Sequence, residues 1–335
     1  MTEGASPRPR PSFSHLETLT GDHGLYEHAR YAEPRRGHGY TTDDNARAVV
    51  VLSRLGRHHD SRRLIPKYLD MVLAGLMPGG WRNRLDDDGR WETGMGSDDC
   101  HGRAIWALGV ATRDGPSSHL DAVREAFVAG AALDSPWLRS NAYACLGAAA
   151  AAGDPVVGAA AGRLLERLRA RLPHPRHGSW RWPEERLTYA NARIPEAYIA
   201  IGNTLAERRT LDAGLELLEW LVGVEWSGEW FSFTPVAGRG PGETGPAFDQ
   251  QPIEAWAMVD ACIRAGEITE DGTWGGYAEA AAEWFFGRND IGVALYEPVT
   301  GAGYDGLTPD GVNSNRGAES TLSALAAVLA VEGDR

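Results

Sequence analysis

A short polar segment followed at once by a small, Ala-rich apolar helix occurs six times along this 335-residue chain. The Asp and Asn landmarks of the six polar starts are Asp43, Asp98, Asn141, Asn191, Asp249 and Asn315. A repeat of roughly 40–65 residues in fixed order is typical of stacked helical hairpins. Because each polar start opens the same kind of helix, we expect all six to lie at one end of the fold.

The helices opened by the polar starts have almost no polar surface. Residues 46–55 read ARAVVVLSRL and residues 142–152 read AYACLGAAAAA, and a helix that is apolar all round is buried all round. Between them lie helices with one charged face, as in RLLERLRARL at residues 163–172, which indicates an outer helix facing solvent. We predict these outer helices at residues 60–76, 119–133, 155–172, 211–224 and 274–287, with 12–19 supplying a sixth.

Alternation of buried and amphipathic helices favours a closed ring, because an open stack would leave one face of each inner helix in water. The predicted fold class is therefore all-α, an (α/α)6 toroid of six helical hairpins. Long connections lead from the outer helices back to the inner ones, and WRNRLDDDGRW at residues 81–91 predicts a β-hairpin with Asp88-Gly89 at its turn. We expect such hairpin-containing loops at one mouth of the ring.

Composition limits the classes of partner and the compartment. The chain has 33 Lys+Arg against 46 Asp+Glu, which argues against a nucleic-acid-binding face. Three cysteines fit a reduced cytoplasmic protein better than a disulfide framework. No apolar run approaches the ~20 residues that span a membrane, and no signal peptide is visible. We predict a disordered polar tail at residues 1–11 and a single domain at 12–331.

Two motifs carry a resemblance to a known group of proteins. GYTTDDNAR at residues 39–47 and DGVNSNRGAEST at 310–321 resemble segments of bacterial toroid domains found with, or fused to, glycosyltransferases. The helical pattern as a whole resembles the six-hairpin glycosidase superfamily. The resemblance covers nearly the whole chain, since the two motifs lie at the first and last inner helices. It implies carbohydrate-active chemistry, with hydrolase, epimerase and lyase reactions all open.

Acidic residues at the helix starts are the candidate catalytic groups. Thr42 and Ser97 are good N-caps, and acids in a first helical turn interact favourably with the helix dipole. That structural role explains one Asp of each pair, but neighbouring helical residues point about 100° apart, so the other should face the mouth. Later acids in inner helices are costly to bury unless they are ion-paired or catalytic. The candidate catalytic residues are Asp43, Asp44, Asp98, Asp99, Glu196, Glu254 and Glu319.

Other polar and aromatic groups at the helix starts and in the loops are the predicted substrate-binding residues. Indoles in loops can stack on sugar rings, and guanidiniums among carboxylates can hold sugar hydroxyls. Because the seven acids outnumber the arginines, we expect a neutral or weakly charged sugar. The predicted set is Tyr40, Arg47, His101, Arg103, Trp180, Trp182, Asn191, Arg193, Trp230, Asp249, Gln250, Asn315 and Arg316.

No metal or cofactor is predicted. The run Asp98-Asp99-Cys100-His101 lacks the spaced Cys/His pairs of a zinc site, and no phosphate-binding glycine loop occurs.

The functional prediction is a glycoside hydrolase-like enzyme that cleaves a neutral oligosaccharide with two carboxylates; the superfamily resemblance favours inversion. Two alternatives stay open. One is a non-catalytic glycan-binding or interaction partner of a glycosyltransferase, with Trp180, Trp182 or Trp230 binding the saccharide. The other is a sugar epimerase, for which His101 is the base at a polar helix start.

Overall fold

Twelve α-helices form six consecutive pairs in residues 11–332, the part of the chain that the computed structural model describes. In each pair the first helix is outer and the second inner: α1 (Ser14–Thr18) and α2 (Thr42–Leu52), α3 (Ile65–Gly75) and α4 (Asp98–Asp114), α5 (Leu120–Ala131) and α6 (Leu138–Ala151), α7 (Gly158–Arg169) and α8 (Arg193–Thr204), α9 (Arg208–Glu225) and α10 (Pro252–Thr269), α11 (Gly272–Glu283) and α12 (Ala318–Glu332). The predicted tail lies outside the described residues except for Pro11.

The inner helices close into a ring. Helix α2 contacts α4, and contacts continue through α6, α8, α10 and α12 back to α2. In α8, every residue from Arg193 to Gly202 is buried, as expected for a helix surrounded by others. The (α/α)6 toroid predicted from the repeat is therefore confirmed.

Glycines allow the closest approach in the ring, between α4 and α6. A Cβ atom on Gly109 would lie 2.0 Å from the carbonyl oxygen of Gly147, and one on Gly102 would lie 2.4 Å from that of Ser140. Any side chain at these positions would push the two backbones apart. The small residues that give the inner helices their apolar, Ala-rich composition thus also set their spacing.

The outer helices follow the predicted amphipathic pattern with shifted ends. In α7, Leu164, Leu165 and Leu168 are buried against the inner ring. This helix begins three residues later than predicted, because the Asp154 carboxylate accepts hydrogen bonds from the backbone N–H groups of Val156 and Val157 and holds that segment in a turn. Two predicted outer helices begin as 3-10 turns, at Asp60–Leu64 and Ser117–His119, and another ends in one at Trp284–Phe286.

Short two-stranded sheets lie in the connections. They pair β1 (Ala29–Arg30) with β2 (Glu33–Pro34), β3 (Tyr40–Thr41) with β6 (Arg84–Leu85), β4 (Leu76–Met77) with β5 (Gly80–Trp81), β7 (Tyr296–Glu297) with β8 (Ala302–Gly303), and β9 (Gly306–Thr308) with β10 (Gly311–Asn313).

The predicted 81–91 hairpin is shorter than expected. Leu85 bridges Trp91 around a turn in which the Gly89 N–H donates to the Asp86 carbonyl oxygen. Trp81 pairs instead with Leu76, because its fully buried indole donates to the Val72 carbonyl oxygen and draws this end of the segment into the core.

Two further features bear on the predicted setting of the chain. Cys100, Cys145 and Cys262 are free thiols buried among apolar side chains, and burial raises the pKa of all three. Within residues 11–332, none of the helices combines the length and the apolar character that crossing a membrane requires.

Side chains from inner helices that are not ring neighbours meet across the interior. Trp106 of α4 and Trp256 of α10 have ring centroids 5.7 Å apart, and the Arg193 guanidinium of α8 lies 4.7 and 4.8 Å from the two indoles. Arg193 Nη1 also donates to Glu196 at 2.6 Å and to Asp260 at 2.8 Å. This layer fills the middle of the ring and separates the end with the polar starts from the opposite end.

Replacement of Arg193 tests the importance of this layer. Its side chain is 1% exposed, and removing one partner from a buried ion-pair network leaves charge uncompensated, so we expect Arg193→Met to lower the free energy of unfolding by about 3 kcal/mol. The matched control is Arg90→Met, whose ion pair with Asp88 is solvent-exposed and should contribute less than about 1 kcal/mol. Urea denaturation measures both, and equal stability of the two variants would contradict the assignment.

Candidate functional site

A cavity of about 390 Å³ opens where the first and last inner helices begin. We call it the mouth cavity. Five carboxyl groups line it and a single guanidinium faces them, so its surface is strongly acidic. The lining residues are Glu27, His28, Thr41, Asp43, Asp44, Arg47, Gln251, Asp305, Asn313, Gly317, Glu319 and Ser320.

One arginine holds two of these acids together. The N-cap residue Thr41 accepts a hydrogen bond from the Asp44 N–H and donates its hydroxyl to the Asp44 carboxylate at 2.7 Å. One helical turn on, Arg47 Nη1 donates to Asp44 at 2.6 Å, while Nη2 donates to Glu319 of α12 at 2.5 Å. Closure of the ring between α12 and α2 is what places Glu319 beside Asp44. The two acids differ in exposure: 5% for the Asp44 side chain and 36% for Glu319.

Burial gives Asp44 an unusual proton affinity. Desolvation of its carboxylate is the largest effect, and it outweighs attraction to Arg47; repulsion from Glu319 and Asp43 acts in the same direction as burial. Together these raise the pKa of Asp44 to about 6. A carboxyl group with such a pKa can hold a proton in weakly acidic solution and release it near neutrality.

A second arginine connects the mouth cavity with α4. Arg103 Nη1 donates to Asp43 Oδ1 at 3.2 Å, and its Nη2 lies 3.3 Å from Asp99 Oδ2. Asn83 fixes Asp43 from the other side by accepting from its backbone N–H and donating to its carboxylate. Asp43 at the start of α2 and Asp99 at the start of α4 therefore meet at the guanidinium of Arg103.

Next to Arg103 lies another cavity, of about 400 Å³, which we call the Trp137 cavity. It is lined by Ser97, Asp98, Asp99, Arg103, Trp137 and Tyr189. The sequence predicted Asp98, Asp99 and Arg103 as site residues and Ser97 as an N-cap, but it did not point to Trp137 or Tyr189. Trp180, Trp182 and Trp230 were predicted because they lie in glycine-containing loops, and neither Trp137 nor Tyr189 belongs to such a loop. Trp137 directly precedes helix α6.

A cavity of about 510 Å³, larger than the mouth cavity, lies at the opposite end of the ring, where the inner helices finish. Glu196 lines this far-end cavity, so its predicted place at the mouth needs correction. Its carboxylate is bound by Arg193 and Arg264, and the neighbouring Asp260 by Arg54 and Arg193.

The two buried acids of the far-end cavity, Glu196 and Asp260, are each paired with arginines, which makes this cavity a weaker catalytic candidate. Burial opposes ionisation of Asp260, but the guanidiniums of Arg54 and Arg193 outweigh it and lower the pKa of Asp260 below its usual range. Such a group holds no proton to donate near neutral pH. The mouth cavity, in contrast, contains both a carboxyl group with a raised pKa and a more exposed carboxylate.

Glu254 supports the backbone instead of lining any of these cavities. Its carboxylate accepts hydrogen bonds from the N–H groups of Ala190 and Asn191 and from the Asn191 side chain. These contacts hold the turn before α8, where Ala190 has φ +44°. Burial, with Glu225 nearby, raises the pKa of Glu254. Glu254 therefore lies outside the linings of the three cavities described, and its role as a catalytic acid stays a prediction.

The loop tryptophans pack on the protein itself. Trp182 is fully buried and stacks on Trp220 of α9 with centroids 6.0 Å apart, and Trp180 meets the same ring edge-on at 5.1 Å. Trp230 is half-buried, with its indole N–H donating to Asp290 at 2.9 Å. A buried indole cannot stack on a sugar, so the assignment of Trp182 to substrate binding needs correction.

Several residues predicted to bind substrate make contacts with other residues of the protein instead of lining a cavity. Tyr40 is fully buried and stacks on Tyr26 at 4.3 Å, and the Gln250 amide donates to Asp290 at 2.6 Å. These two and the remaining residues are absent from the linings of the three cavities described: Tyr40, His101, Trp180, Trp182, Asn191, Arg193, Trp230, Asp249, Gln250, Asn315 and Arg316.

Internal partners explain why three of these side chains stay away from the mouth cavity. The His101 ring lies 3.3 Å from the Trp81 carbonyl oxygen. The Asn315 side chain accepts from the Tyr31 N–H at 3.0 Å, and Arg316 lies over Tyr304 at 4.6 Å.

The mouth cavity is also lined by loop residues, which the pattern of polar helix starts could not identify. Glu27 is held by two hydrogen bonds from Arg84, at 2.6 and 2.7 Å, and His28 beside it has a 47% exposed side chain. Asp305 accepts hydrogen bonds from the Gly317 N–H and the Ser320 hydroxyl at 2.7 Å, and so supports the start of α12. Among residues 11–332, no group of three or more His, Cys, Asp or Glu side chains is arranged to hold a metal ion.

The pKa of Asp44 makes a prediction about stability. Its folded-state value of about 6 exceeds the ~3.9 of an unfolded chain, so ionisation destabilises the folded state progressively between pH 4 and pH 6. Asp44→Asn mimics the protonated form and should therefore gain stability relative to the unsubstituted protein by roughly 2–3 kcal/mol as the pH rises from 4 to 7. Chemical denaturation at several pH values measures this difference. A difference that is constant with pH, or that falls, would contradict the raised pKa.

Comparison with known proteins identifies the fold. No protein-family model and no curated protein matches the chain. Among solved structures, a sugar epimerase from a ruminal bacterium superposes with a TM-score of 0.69 at 12% identity, over 96% of this chain and 95% of that one.

Two further structures agree. The cellobiose 2-epimerase from Bacillus thermoamylovorans gives a TM-score of 0.70 at 11% identity over 96% and 95% of the two chains. A GH76 α-mannanase from Bacteroides thetaiotaomicron gives 0.60 at 11% identity over 95% and 93%. The chain therefore shares its (α/α)6-toroid fold with these structures, and the resemblance predicted from its sequence is confirmed for the fold alone.

Proposed function

We propose that this protein is a glycoside hydrolase that acts on a neutral oligosaccharide at the mouth cavity. The observation that carries the proposal is the pair of carboxyl groups on one guanidinium, Asp44 with a pKa of about 6 and the more exposed Glu319. Two carboxyl groups in different protonation states are what glycosidic-bond hydrolysis requires. The fold is shared with proteins described as an α-mannanase and a cellulase.

Asp44 is the general acid in this proposal. Its protonated carboxyl donates a proton to the glycosidic oxygen as the bond from that oxygen to the anomeric carbon breaks. Glu319 is the general base: it takes a proton from a water molecule whose oxygen bonds to the anomeric carbon from the opposite face. The products are two sugars with free hydroxyls, and the proton gained by Glu319 returns to Asp44 through solvent. Arg47 positions both carboxyl groups.

Inversion of the anomeric centre follows from this assignment of roles, because Glu319 activates water and does not attack the sugar itself. The separation of the two carboxyl groups in a saccharide complex tests this assignment: about 6.5–9.5 Å admits that water, whereas about 5–5.5 Å fits a retaining enzyme. Glu319 is the base in preference to Asp43 because Asp43 is engaged by both Asn83 and Arg103.

An epimerase is the second candidate, and one observation favours it. His28, which sequence reasoning missed, lines the mouth cavity beside the acids, and an imidazole there can abstract a proton next to a sugar carbonyl. Three structures with the same fold are described as a sugar epimerase, a D-mannose isomerase and a cellobiose 2-epimerase. His28 replaces His101 as the proposed base, because His101 contacts the Trp81 loop.

The two catalytic roles make a prediction that separates acid from base. Asp44→Asn should lower turnover of unactivated oligosaccharides by about 100-fold or more. The same variant should keep most of its activity on dinitrophenyl glycosides, because that leaving group departs without protonation. Glu319→Gln should lose activity on both substrate classes. Product release on the two classes measures the effect, and circular dichroism of each variant checks its folding.

Asp121→Asn is the matched control, since Asp121 is also a first-turn acid but lies on the outer helix α5 with a 98% exposed side chain. Equal activity of all three variants on unactivated oligosaccharides would overturn the hydrolase assignment. If no bond is cleaved, deuterium incorporated from D₂O at C2 of a reducing sugar, and lost in His28→Asn, would establish the epimerase instead. Saccharide binding without either reaction would favour the non-catalytic partner of a glycosyltransferase.

The charge of the mouth cavity predicts its substrate preference. Glu27, Asp43, Asp305 and Glu319 add negative charge around Asp44, with Arg47 as the only guanidinium in the lining. A uronic acid would meet repulsion there, so we expect kcat/KM for neutral oligosaccharides to exceed that for matched uronic-acid oligosaccharides by about 10-fold or more. Raising the salt concentration should narrow this ratio through screening. Faster cleavage of the uronic-acid series would show that the charge argument fails.

A further inference from the structure

An indole stands exposed at the edge of the Trp137 cavity. Trp137 is 65% exposed, and in residues 11–332 no aromatic ring or guanidinium stacks on it. Leaving so large an apolar side chain in water forgoes the stabilisation that its burial would bring. A large aromatic surface next to a polar cavity is typical of a binding site for a ligand with both apolar and polar faces.

The backbone beneath the indole is anchored. Ser135 Oγ accepts from the Trp137 N–H at 3.1 Å and donates to the Asp98 carboxylate at 2.7 Å. The Trp137 carbonyl oxygen accepts from the Asn141 N–H in the first turn of α6. Trp137 is thereby tied to the starts of two inner helices, so its position is set before any ligand binds.

Hydrogen-bonding groups and a second aromatic ring face the same cavity. Tyr189 is 39% exposed, its hydroxyl donates to Asp99 at 2.7 Å, and Arg139 lies 4.9 Å from its ring centroid. The carboxylates of Asp98 and Asp99 are acceptors for sugar hydroxyls. An aromatic platform beside such acceptors matches a pyranose ring, which has a C–H face and a rim of hydroxyls.

Arg103 joins this cavity to the mouth cavity. It lines the Trp137 cavity, lies 3.3 Å from Asp99 there, and donates to Asp43 of the mouth cavity at 3.2 Å. The two cavities, of about 390 and 400 Å³, therefore adjoin at one fixed guanidinium. A ligand that fills both has two linked units.

We propose that the Trp137 cavity binds a second pyranose unit of the same oligosaccharide, stacked on the Trp137 indole, while the first unit occupies the mouth cavity. The preferred substrate is then a disaccharide or longer. This inference rests on the proposed function for the identity of the ligand, but it concerns binding and not cleavage. Trp137 is a specificity-determining residue with no part in the bond-breaking step.

Calorimetric binding tests the inference separately from catalysis. Neutral gluco- and manno-oligosaccharides of one to four units are titrated into the full chain carrying Asp44→Asn, so that no substrate is consumed. We expect a disaccharide to bind more tightly than the monosaccharide, and Trp137→Ala to weaken disaccharide binding by about 3- to 10-fold, the range of one aromatic stacking contact. Monosaccharide binding should not change, and Trp137→Phe should restore most of the loss. Trp274→Ala, on the outer helix α11, is the matched control and should leave all affinities unchanged.

The outcomes separate this inference from the proposed function. A chain-length preference that Trp137→Ala leaves intact would overturn the second subsite, whatever the turnover measurements show. Equal loss in Trp137→Ala and Trp274→Ala would also overturn it, because the effect would then not be local. Loss of the preference in Trp137→Ala alone, in a protein that cleaves no glycosidic bond, would support the subsite and refute the hydrolase.

Discussion

Six helices that are apolar on almost every side can all be buried only if the last one packs against the first, and the candidate site depends on that contact. Glu319 lies far from Asp44 along the chain, yet both bond to the guanidinium of Arg47 because α12 closes the ring on α2. The polar segment that begins each helix then faces an open end. Burial of the apolar inner helices therefore brings the carboxyl groups at the starts of α2 and α12 together at one mouth of the ring.

Burial, which stabilises the ring, also sets the chemistry of the groups it encloses. Arg193, Glu196 and Asp260 lie deep in the interior, where each charge has a partner of opposite sign. Asp44 is equally buried but shares Arg47 with Glu319, so attraction to the guanidinium does not offset desolvation and its pKa rises. The mouth cavity differs from the far-end cavity more in how its carboxylates are paired with arginines than in how deeply those carboxylates are buried.

The fold could be predicted from sequence, because repeated apolar helices with polar starts follow directly from local residue order. Asp43, Asp44, Asp99 and Glu319, which line the candidate cavities, were predicted for the same reason. The pattern could not show that Arg193, also at a helix start, reaches further along the axis to Asp260, or that Glu196 pairs with Arg264. The pattern also could not show that Trp182 packs on Trp220 in the core while Trp137 stays exposed to solvent. The exposure of a loop side chain depends on which helix the loop packs against.

Location of a bound saccharide tests the central claim, that ring closure builds the functional site at the starts of α2 and α12. The measurement is a crystal structure of the Asp44→Asn variant soaked with a neutral oligosaccharide. We expect a sugar ring in the mouth cavity, with a hydroxyl or ring oxygen within hydrogen-bond distance of Glu319 or residue 44. A saccharide bound instead in the far-end cavity, against Arg54 and Glu196, would contradict it.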